Sequence, residues 1–285
     1  MPFKYDDLIS NRLEDWSYTY GDKDVLLYNL GIGMGRAERE EELPFVFEEP
    51  ELKVVPSFAA LIAQQGARVI GGAGITVARI LHGEERLALY RPLPSAGEVR
   101  LNSWISEIVD KGPEKGALIT VSSEGRMAGE DSAAFRVDHL IFARADGGCG
   151  GPAKSTFVPH QLPEREPDMV YEARTRTDDA LLYRLNGDRN PLHAHPAAAK
   201  RGGFDRPILH GMCTYGISCR SVLDAVCGLD PTRMKSFDAR FTSPIFPGET
   251  LHTDIWIDGD IVSFRSRVAA RGIVALNNGR CQIGA

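Results

Sequence analysis

The chain contains two copies of one short sequence, and this duplication limits its possible folds more than any other feature. Asp24–Leu30 (DVLLYNL) and Asp179–Leu185 (DALLYRL) agree at five of seven positions and lie 155 residues apart. A Pro-rich segment that ends in Gly97-Glu98 is matched by another that ends in Gly248-Glu249, at an offset of 151 residues. Because both matches keep the same order and nearly the same spacing, the sequence predicts two related halves.

A stretch rich in glycine and proline separates the two halves. It extends from Gly147 to Pro167 and contains the run GGCGGPAKS and the charged segment PEREP. Such a composition is typical of a connector between folded units. We therefore predict an N-terminal repeat at residues 1–150, a linker at 151–168 and a C-terminal repeat at 169–285.

In both halves a helical pattern is followed by a series of strand patterns. Apolar spacing predicts a long helix within residues 207–227 and a shorter helix at Pro56–Gln65. Alternating or β-branched segments predict strands at 74–82, 86–90, 99–109, 116–124, 133–144, 236–243, 250–257, 261–269 and 272–283. A helix followed by an antiparallel meander predicts an α+β fold in which each sheet wraps a helix. This order differs from the alternating pattern of a dinucleotide-binding domain.

Composition and charge exclude several classes of protein. The 285 residues include 33 Lys and Arg against 39 Asp and Glu, and the net charge of −6 argues against nucleic-acid or anionic-membrane binding. No segment has the pattern of a signal peptide or a membrane span, and the five cysteines form no Cys-x-x-Cys pair. The C-terminal residues QIGA lack a peroxisomal Ser-Lys-Leu signal, so we expect a cytoplasmic protein with reduced, mostly buried cysteines.

The densest group of polar residues lies at Tyr183–His195 (YRLNGDRNPLHAH). Pro191 forces Asn190 into extended geometry, so the loop can turn the side chains of Asp188 and His193 toward one point. A carboxylate and an imidazole that contact one water form a proton-transfer centre. The same residues also suit a purely structural Asx turn with a capping histidine. The corresponding segment of the first half lacks these polar groups, which favours the catalytic interpretation.

His210 and Gly211 begin the long predicted helix, 17 residues after His193. The first turn of a helix presents unpaired N–H groups and a field that favours negative charge, so the Gly211 amide could stabilise an oxyanion. A metal site is the competing hypothesis, because the region combines residue types that ligate metals: Asp188, His193, His195 and His210. No Cys or Glu completes a recognisable metal-binding spacing, so we expect no metal.

The motif YRLNGDRNPLH at 183–193 resembles the hydratase motif of the R-specific, type-2 enoyl-CoA hydratases of the MaoC-like dehydratase group. The similarity extends over essentially the whole chain, through YNLGIG at 28–33, VPSF at 55–58, HGE at 82–84, YRPLP at 90–94 and FTSPIFPGET at 241–250. The chain resembles the two-half form found as the hydratase part of eukaryotic peroxisomal multifunctional β-oxidation enzymes. This resemblance implies a double hot-dog fold and the hydration of trans-2-enoyl-CoA to (R)-3-hydroxyacyl-CoA.

The resemblance also implies roles for individual residues. Asp188 and His193 would form the dyad that holds the reacting water, Asn190 would orient that water, and the Gly211 amide would bind the thioester oxygen. The residues that would contact the CoA moiety are His82, Gly83, Lys111 and Phe241. The N-terminal repeat would be non-catalytic and would bind the acyl chain and CoA. The chain would need no cofactor and would form a homodimer.

Two other functional classes remain open from the sequence. A hot-dog thioesterase would use the same acyl-CoA substrates but would hydrolyse the thioester and release free CoA thiol. A non-catalytic acyl-CoA binding protein would share the fold without requiring the polar motif. Because Asp188 and His193 are both present, the motif favours an enzyme over a binding protein.

Overall fold

The computed structural model describes residues 3–36, 39–76 and 79–284 of the chain. No helix within these ranges is long and apolar enough to cross a lipid bilayer. All five cysteines are buried and free, which agrees with the expectation from their number and spacing.

Ten strands lie within the described ranges: β1 (Arg12–Tyr20), β2 (Ile80–Leu89), β3 (Gly97–Asp110), β4 (Ala117–Met127), β5 (Phe135–Ala143), β6 (Met169–Arg174), β7 (Met234–Phe241), β8 (Thr250–Asp258), β9 (Ile261–Val268) and β10 (Ile273–Ile283). The same ranges contain six α-helices: α1 (Tyr5–Ile9), α2 (Asp22–Gly31), α3 (Phe58–Gln64), α4 (Asp179–Tyr183), α5 (Pro196–Arg201) and α6 (Gly211–Ala225).

The chain divides into two compact units that are not continuous in sequence. The first unit comprises Met1–Thr19, Ala59–Tyr90 and Glu98–His160. The second unit is made of the remaining segments: Tyr20–Phe58, Arg91–Gly97 and Gln161–Ala285. Helix α2 and the loop after it therefore group with the C-terminal residues. The repeat boundaries at 150 and 168 stay a prediction, because a repeat is defined by sequence and a compact unit by contacts.

The first unit is an antiparallel sheet packed on a short helix. Its strands follow the order β1-β3-β4-β5-β2, and the pairs β3–β4, β4–β5 and β5–β2 are antiparallel. Helix α3 has seven residues, and a 3₁₀ turn over Gln65–Ile70 continues it. Residues Ala59–Ala63 of the helix are buried. A Cβ on Gly66 would overlap the hydroxyls of Ser103 and Ser123, so this glycine lets the helical segment approach the sheet.

The second unit repeats this plan around a longer helix. Its strands follow the order β7-β10-β9-β8-β6 with antiparallel pairing throughout. Helix α6 has 15 residues, is buried over Met212–Leu223 and packs against β6, β7, β8 and β10. The hydroxyls of Ser218 on α6 and Ser266 on β9 lie 2.8 Å apart. Two units of this kind, each a sheet around a central helix, form a double hot-dog fold and confirm the predicted α+β class.

The two copies of the duplicated sequence form helices α2 and α4, which contact each other within the second unit. Tyr28 and Tyr183 occupy the same position in the two copies, and their ring centroids lie 6.1 Å apart. The Tyr28 hydroxyl donates a hydrogen bond to Ser57 Oγ at 2.8 Å. The sequence repeat is thus a pair of packed helices in the folded chain.

The sequence patterns predicted both central helices and most strands, but they missed one outer strand in each unit. β1 exposes five of its nine residues, and β6 exposes four of its six. An outer strand has a neighbour on one side only, so its residues need no apolar alternation. One strand, β2 (Ile80–Leu89), replaces the predicted strands 74–82 and 86–90: residues 74–76 and 79 are not in a strand, and residues 77 and 78 lie outside the described ranges.

The first part of the stretch rich in glycine and proline, from Gly148 to Thr156, is bound to strand β3. Asp110 accepts hydrogen bonds from the Gly148 and Gly150 N–H groups at 2.8 and 2.9 Å. Glu107 accepts from the Thr156 N–H and hydroxyl at 2.7 and 2.9 Å. Residues 144–168, all of them described, form neither helix nor strand. Two carboxylates therefore anchor this irregular segment, which the glycine and proline content alone did not predict.

An acid–base pair is buried in the first unit, where β2 and β5 run side by side. Glu85 and His139 are cross-strand partners, and Glu85 Oε2 lies 2.5 Å from His139 Nδ1. Burial raises the pKa of Glu85 to about 8 and lowers the pKa of His139 to about 4. At neutral pH the pair is therefore a carboxylic acid that donates its hydrogen to a neutral imidazole.

Glu85→Gln should remove the contribution of this carboxyl group to the pH dependence of stability. The pKa of Glu85 is about 8 in the folded protein against 4.5 for an ordinary glutamate, so the stability that this group contributes falls as the pH rises between these values, while His139 titrates in both proteins. Glutamine keeps an N–H donor toward His139 and has no proton to lose. We expect the melting temperature of the variant to exceed that of the wild type by a margin that grows from about pH 5 to about pH 8. Glu14→Gln, on exposed Glu14, is the matched control. A margin that is constant with pH would contradict the assignment.

Candidate active site

The loop after α4 carries the polar motif, and local hydrogen bonds give this loop its shape. Gly187 ends the 3₁₀ turn that extends α4, with a φ of +122° that favours glycine. Asp188 Oδ1 accepts the Asn190 N–H at 3.0 Å, and Asn190 Oδ1 accepts the Leu192 N–H at 3.0 Å. The first of these bonds is the Asx turn of the structural interpretation. Because Oδ1 is engaged in the turn, Oδ2 is the Asp188 oxygen that faces His193.

Asp188 and His193 form a pair with a gap between them. Asp188 Oδ2 lies 4.0 Å from His193 Nε2, and the opposite ring nitrogen, Nδ1, lies 3.0 Å from the carbonyl oxygen of Ile208. A carbonyl can only accept, so Nδ1 carries the hydrogen and Nε2 of the neutral ring has a lone pair. Burial lowers the pKa of His193, although the Ile208 carbonyl and Asp188 favour its charged form. The gap between Oδ2 and Nε2 suits one bridging water.

His210 joins this pair from the start of α6. Its ring stacks on the His193 ring, with centroids 3.7 Å apart and planes inclined at 25°. Its Nε2 lies 3.3 Å from the backbone oxygen of Asp188. His210 is the N-cap residue of α6, so Gly211 begins the helix, and the N–H groups of a first turn have no partner within the helix. The structure thus brings Asp188 and His193 to the start of α6, while their catalytic roles stay a prediction.

Three of the four residues named in the metal hypothesis lie close together. Ligand atoms of Asp188, His193 and His210 all lie within 4.8 Å of one another. His210 Nε2 donates its hydrogen to the Asp188 carbonyl, which leaves Nδ1 as the ring nitrogen with a lone pair. The three residues suit a proton-transfer centre as well as an ion, so the expectation of no metal stays a prediction.

His195, the fourth residue of the metal hypothesis, has a different function. It is exposed, and its Nδ1 accepts the Ala197 N–H at 3.2 Å as the N-cap of α5. The capping histidine of the structural interpretation is therefore His195, two residues beyond His193. The motif contains both a local capping residue and a buried imidazole.

Three residues predicted to contact CoA lie in the first unit. His82, on β2, packs edge to face against His139, with ring centroids 4.2 Å apart. A Cβ on Gly83 would overlap the end of the Leu140 side chain, so glycine gives Leu140 room to pack on this strand. Lys111 directly follows β3 and is exposed in the turn between β3 and β4. For all three residues, contact with CoA stays a prediction.

Phe241, the fourth predicted CoA contact, ends β7 in the second unit. Its side chain is half-buried, and its ring centroid lies 6.5 Å from that of Tyr215 on α6. It is the cross-strand partner of Leu276 on β10. This position gives the ring a structural role beside α6, and its contact with CoA also stays a prediction.

An ion pair fixes the start of α4, the helix that precedes the polar motif. The sequence patterns did not predict this pair. Asp179, the first residue of α4, is 1% exposed and binds the Arg36 guanidinium through both carboxylate oxygens. The Arg176 N–H donates to Asp179 Oδ2 at 2.8 Å. The duplicated sequence has an aspartate at this position in both copies. Asp24, at the same position of the other copy, accepts the Gly21 N–H at 2.9 Å at the start of α2.

The chain matches two family models. The model described as "MFE-2 hydratase 2 N-terminal domain" matches residues 18–145, and the model described as "MaoC like domain" matches residues 159–278. Peroxisomal enoyl-CoA hydratase 2 of Arabidopsis thaliana is 35% identical over 292 residues, which cover 96% of this chain and 94% of that protein. Peroxisomal multifunctional enzyme type 2 of Mus musculus is 34% identical over 278 residues, which cover 95% of this chain but 37% of that protein.

A solved structure gives the same result. The crystal structure of a MaoC-like dehydratase from Phytophthora capsici matches with a TM-score of 0.86 at 30% identity, over 98% of this chain and 97% of that chain. The fold and site thus define a double hot-dog protein with an acid–base pair beside its longer central helix. The chain belongs to the MaoC-like dehydratase family, in its form with an MFE-2 hydratase 2 N-terminal domain, and is an enzyme of the hydratase/dehydratase class.

Proposed function

We propose that the chain catalyses the reversible syn hydration of trans-2-enoyl-CoA to (R)-3-hydroxyacyl-CoA. The main support is the separation of 4.0 Å between Asp188 Oδ2 and His193 Nε2 beside the start of α6. Two acceptors at this spacing suit a water that points one hydrogen at each. The name of the Arabidopsis relative, enoyl-CoA hydratase 2, supports enoyl-CoA as the substrate class.

The start of α6 provides the electrostatic part of the mechanism. Attack of water on C3 of an enoyl thioester moves negative charge onto the thioester oxygen, which becomes an enolate oxygen. The Gly211 N–H, aided by the field of the helix N-terminus, stabilises this charge more than it stabilises the neutral substrate. Such differential stabilisation lowers the barrier to reaction.

Asp188 and His193 hold the water and transfer one of its protons. His193 Nδ1–H is bound to Ile208, so Nε2 and Asp188 Oδ2 each accept a hydrogen bond from the water. As the water oxygen bonds to C3, one of its O–H bonds breaks and that proton passes to the pair, while the other hydrogen stays on the oxygen as the 3-hydroxyl group. The pair then gives one proton to C2 of the enolate on the same face, which regenerates the pair. The side-chain oxygen of Asn190 is bound to Leu192, so its amide Nδ2 is the group that orients the water. These steps need no metal or cofactor.

The other parts of the proposal concern the residues that bind the substrate, the oligomeric state and the location of the enzyme in the cell. In this proposal His82, Gly83, Lys111 and Phe241 contact the CoA moiety, and the first unit accommodates the acyl chain. The support for the acyl chain in this unit is its shorter α-helix, seven residues in α3 against 15 in α6, with the 3₁₀ turn over Gln65–Ile70 in continuation. The enzyme acts as a homodimer in the cytoplasm. Because two relatives are named as peroxisomal, cell imaging of the tagged protein must discriminate the two locations.

A stereospecific assay tests the proposed reaction. Purified protein should consume trans-2-enoyl-CoA, measured as loss of enoyl absorbance, and the product should be oxidised by a dehydrogenase specific for the (R) alcohol. Oxidation by an (S)-specific dehydrogenase alone would refute the stereochemical part. Release of free CoA thiol would instead identify a thioesterase. Binding without turnover would identify an acyl-CoA binding protein.

Asp188→Asn and His193→Gln should each lower kcat by about a hundredfold or more, because each variant removes one acid–base group. Circular dichroism should stay close to that of the wild type in both variants. Asp188→Asn should also keep its melting temperature, because Asp188 is half-buried, whereas His193→Gln should lower it, because the buried imidazole is lost together with its bond to Ile208. His195→Gln, two residues from His193, is the matched control and should keep wild-type kcat. Near-normal hydration by either dyad variant would remove that residue from the mechanism.

Lys111→Ala should raise KM with little change in kcat, because a lysine that binds a CoA phosphate stabilises substrate and transition state equally. The effect should shrink at high salt, which screens an exposed ion pair. Lys115→Ala, on exposed Lys115 in the same turn, is the matched control. Equal effects of the two variants on KM would show a general effect of charge, and a fall in kcat alone would contradict the CoA contact.

A further inference from the structure

His210 makes three contacts for which the proposed mechanism has no use. Its ring stacks on His193 at 3.7 Å, its Nε2 lies 3.3 Å from the Asp188 backbone oxygen, and its ring centroid lies 5.1 Å from that of Tyr183. Its side chain is 1% exposed. His210 thus contacts both members of the dyad. Its Nε2 is bound to the Asp188 backbone, so this nitrogen does not donate into the gap between Asp188 and His193.

The hydrogen bond to Asp188 defines the tautomer of His210. The Asp188 carbonyl can only accept, so His210 Nε2 carries the hydrogen and Nδ1 does not. Nδ1 is buried and has no hydrogen-bond partner among the described residues. The ring is therefore held by one donated hydrogen bond and by its stacked face. Neither contact requires a charge on His210.

The stacked face of His210 also excludes water from His193. The planes are inclined by only 25°, so the His210 ring covers one side of the His193 ring. The titratable or charged groups around His210 are His193, Asp188, Arg184 and Tyr183. Burial is the main cause that lowers the pKa of both histidines, to about 4 for His210. A neutral His210 thus covers a neutral His193 and leaves the lone pair of His193 Nε2 free.

We propose that His210 is a positioning residue for the dyad. Its donated hydrogen bond holds the backbone that carries the Asp188 carboxyl group, and its ring holds and shields the His193 imidazole. The His210 carbonyl, bound by the Thr214 N–H at 3.1 Å and the Thr214 hydroxyl at 3.2 Å, orients the peptide that leads to Gly211. One residue thereby sets the relative placement of the acid, the base and the helix N-terminus. This inference rests on the proposed hydratase function.

Two substitutions separate the two contacts of His210. His210→Phe keeps a ring that can stack on His193 but removes the donor to Asp188. His210→Gln keeps an amide N–H at the level of Nε2 but removes the stacked ring. Both should lower kcat by about tenfold or more and change KM by less than about threefold, because small displacements of acid–base groups slow the chemical step. His195→Gln is the control on a histidine that caps a neighbouring helix.

NMR titration in the unliganded protein measures the pKa of His193 in the folded molecules. A variant that only lowers the fraction of folded enzyme would leave this pKa unchanged. His210→Gln should raise the pKa of His193 toward its ordinary range, because water then reaches the uncovered face. The acidic limb of the kcat/KM profile should move to higher pH in parallel. His210→Phe should leave the His193 titration in place, because the phenyl ring still covers that face.

The outcomes discriminate this proposal from the one on which it rests. Wild-type kcat in either variant, or an unchanged His193 titration in His210→Gln, would overturn the positioning role. A wild-type protein that does not hydrate enoyl-CoA would refute the proposed function itself, and the positioning role would fall with it. The proposal predicts a lower kcat for each variant separately. It can therefore be tested even if only one of the two variants folds.

Discussion

Two reciprocal hydrogen bonds hold the polar loop against the start of α6. His193 donates from Nδ1 to Ile208, two residues before His210, and His210 donates from Nε2 to the Asp188 carbonyl, five residues before His193. Each imidazole thus binds a backbone carbonyl that lies a few residues before the other histidine in the chain. A single bond of this kind contributes on the order of 1 kcal/mol, but a buried group left without its partner costs about 1–3 kcal/mol. The site geometry therefore depends on both bonds being present together.

The same arrangement explains why two histidines can be stacked without repulsion. Burial lowers the pKa of both rings, and the proximity of His193 lowers that of His210 further. Two protonated imidazoles 3.7 Å apart in a buried site would repel each other strongly. Because both bond to carbonyl oxygens through N–H groups, both are stable as neutral rings with defined tautomers. Burial thus keeps both rings in their neutral form and leaves a lone pair on His193 Nε2.

The fold and the proximity of Asp188 to His193 were predictable because both depend on local spacing. The repeated heptapeptide indicated two halves, and the spacing of Asp188 and His193 across Asn190-Pro191 indicated a pair of side chains on one loop. The grouping of α2 with the C-terminal residues was not predictable in this way. It includes an ion pair between Arg36 and Asp179, 143 residues apart, for which the sequence has no periodic signal. The stacking of His210 on His193 likewise depends on how the loop packs against the start of α6.

The two copies of the duplicated sequence lead into segments of different composition within one unit. After α2 the chain turns through Gly33 and Gly35, whose φ angles are +94° and +78°, and Arg36 then binds Asp179 at the start of α4. After α4 the chain continues into the polar loop. A charge buried with a partner is costly to leave unpaired, so the Arg36–Asp179 pair favours one arrangement of the two helices over others. The first copy thereby constrains the helix from which the second copy's polar loop begins. At the offset of 155 residues, Asp188 and Asn190 of the second copy stand where the first copy has Gly33 and Gly35.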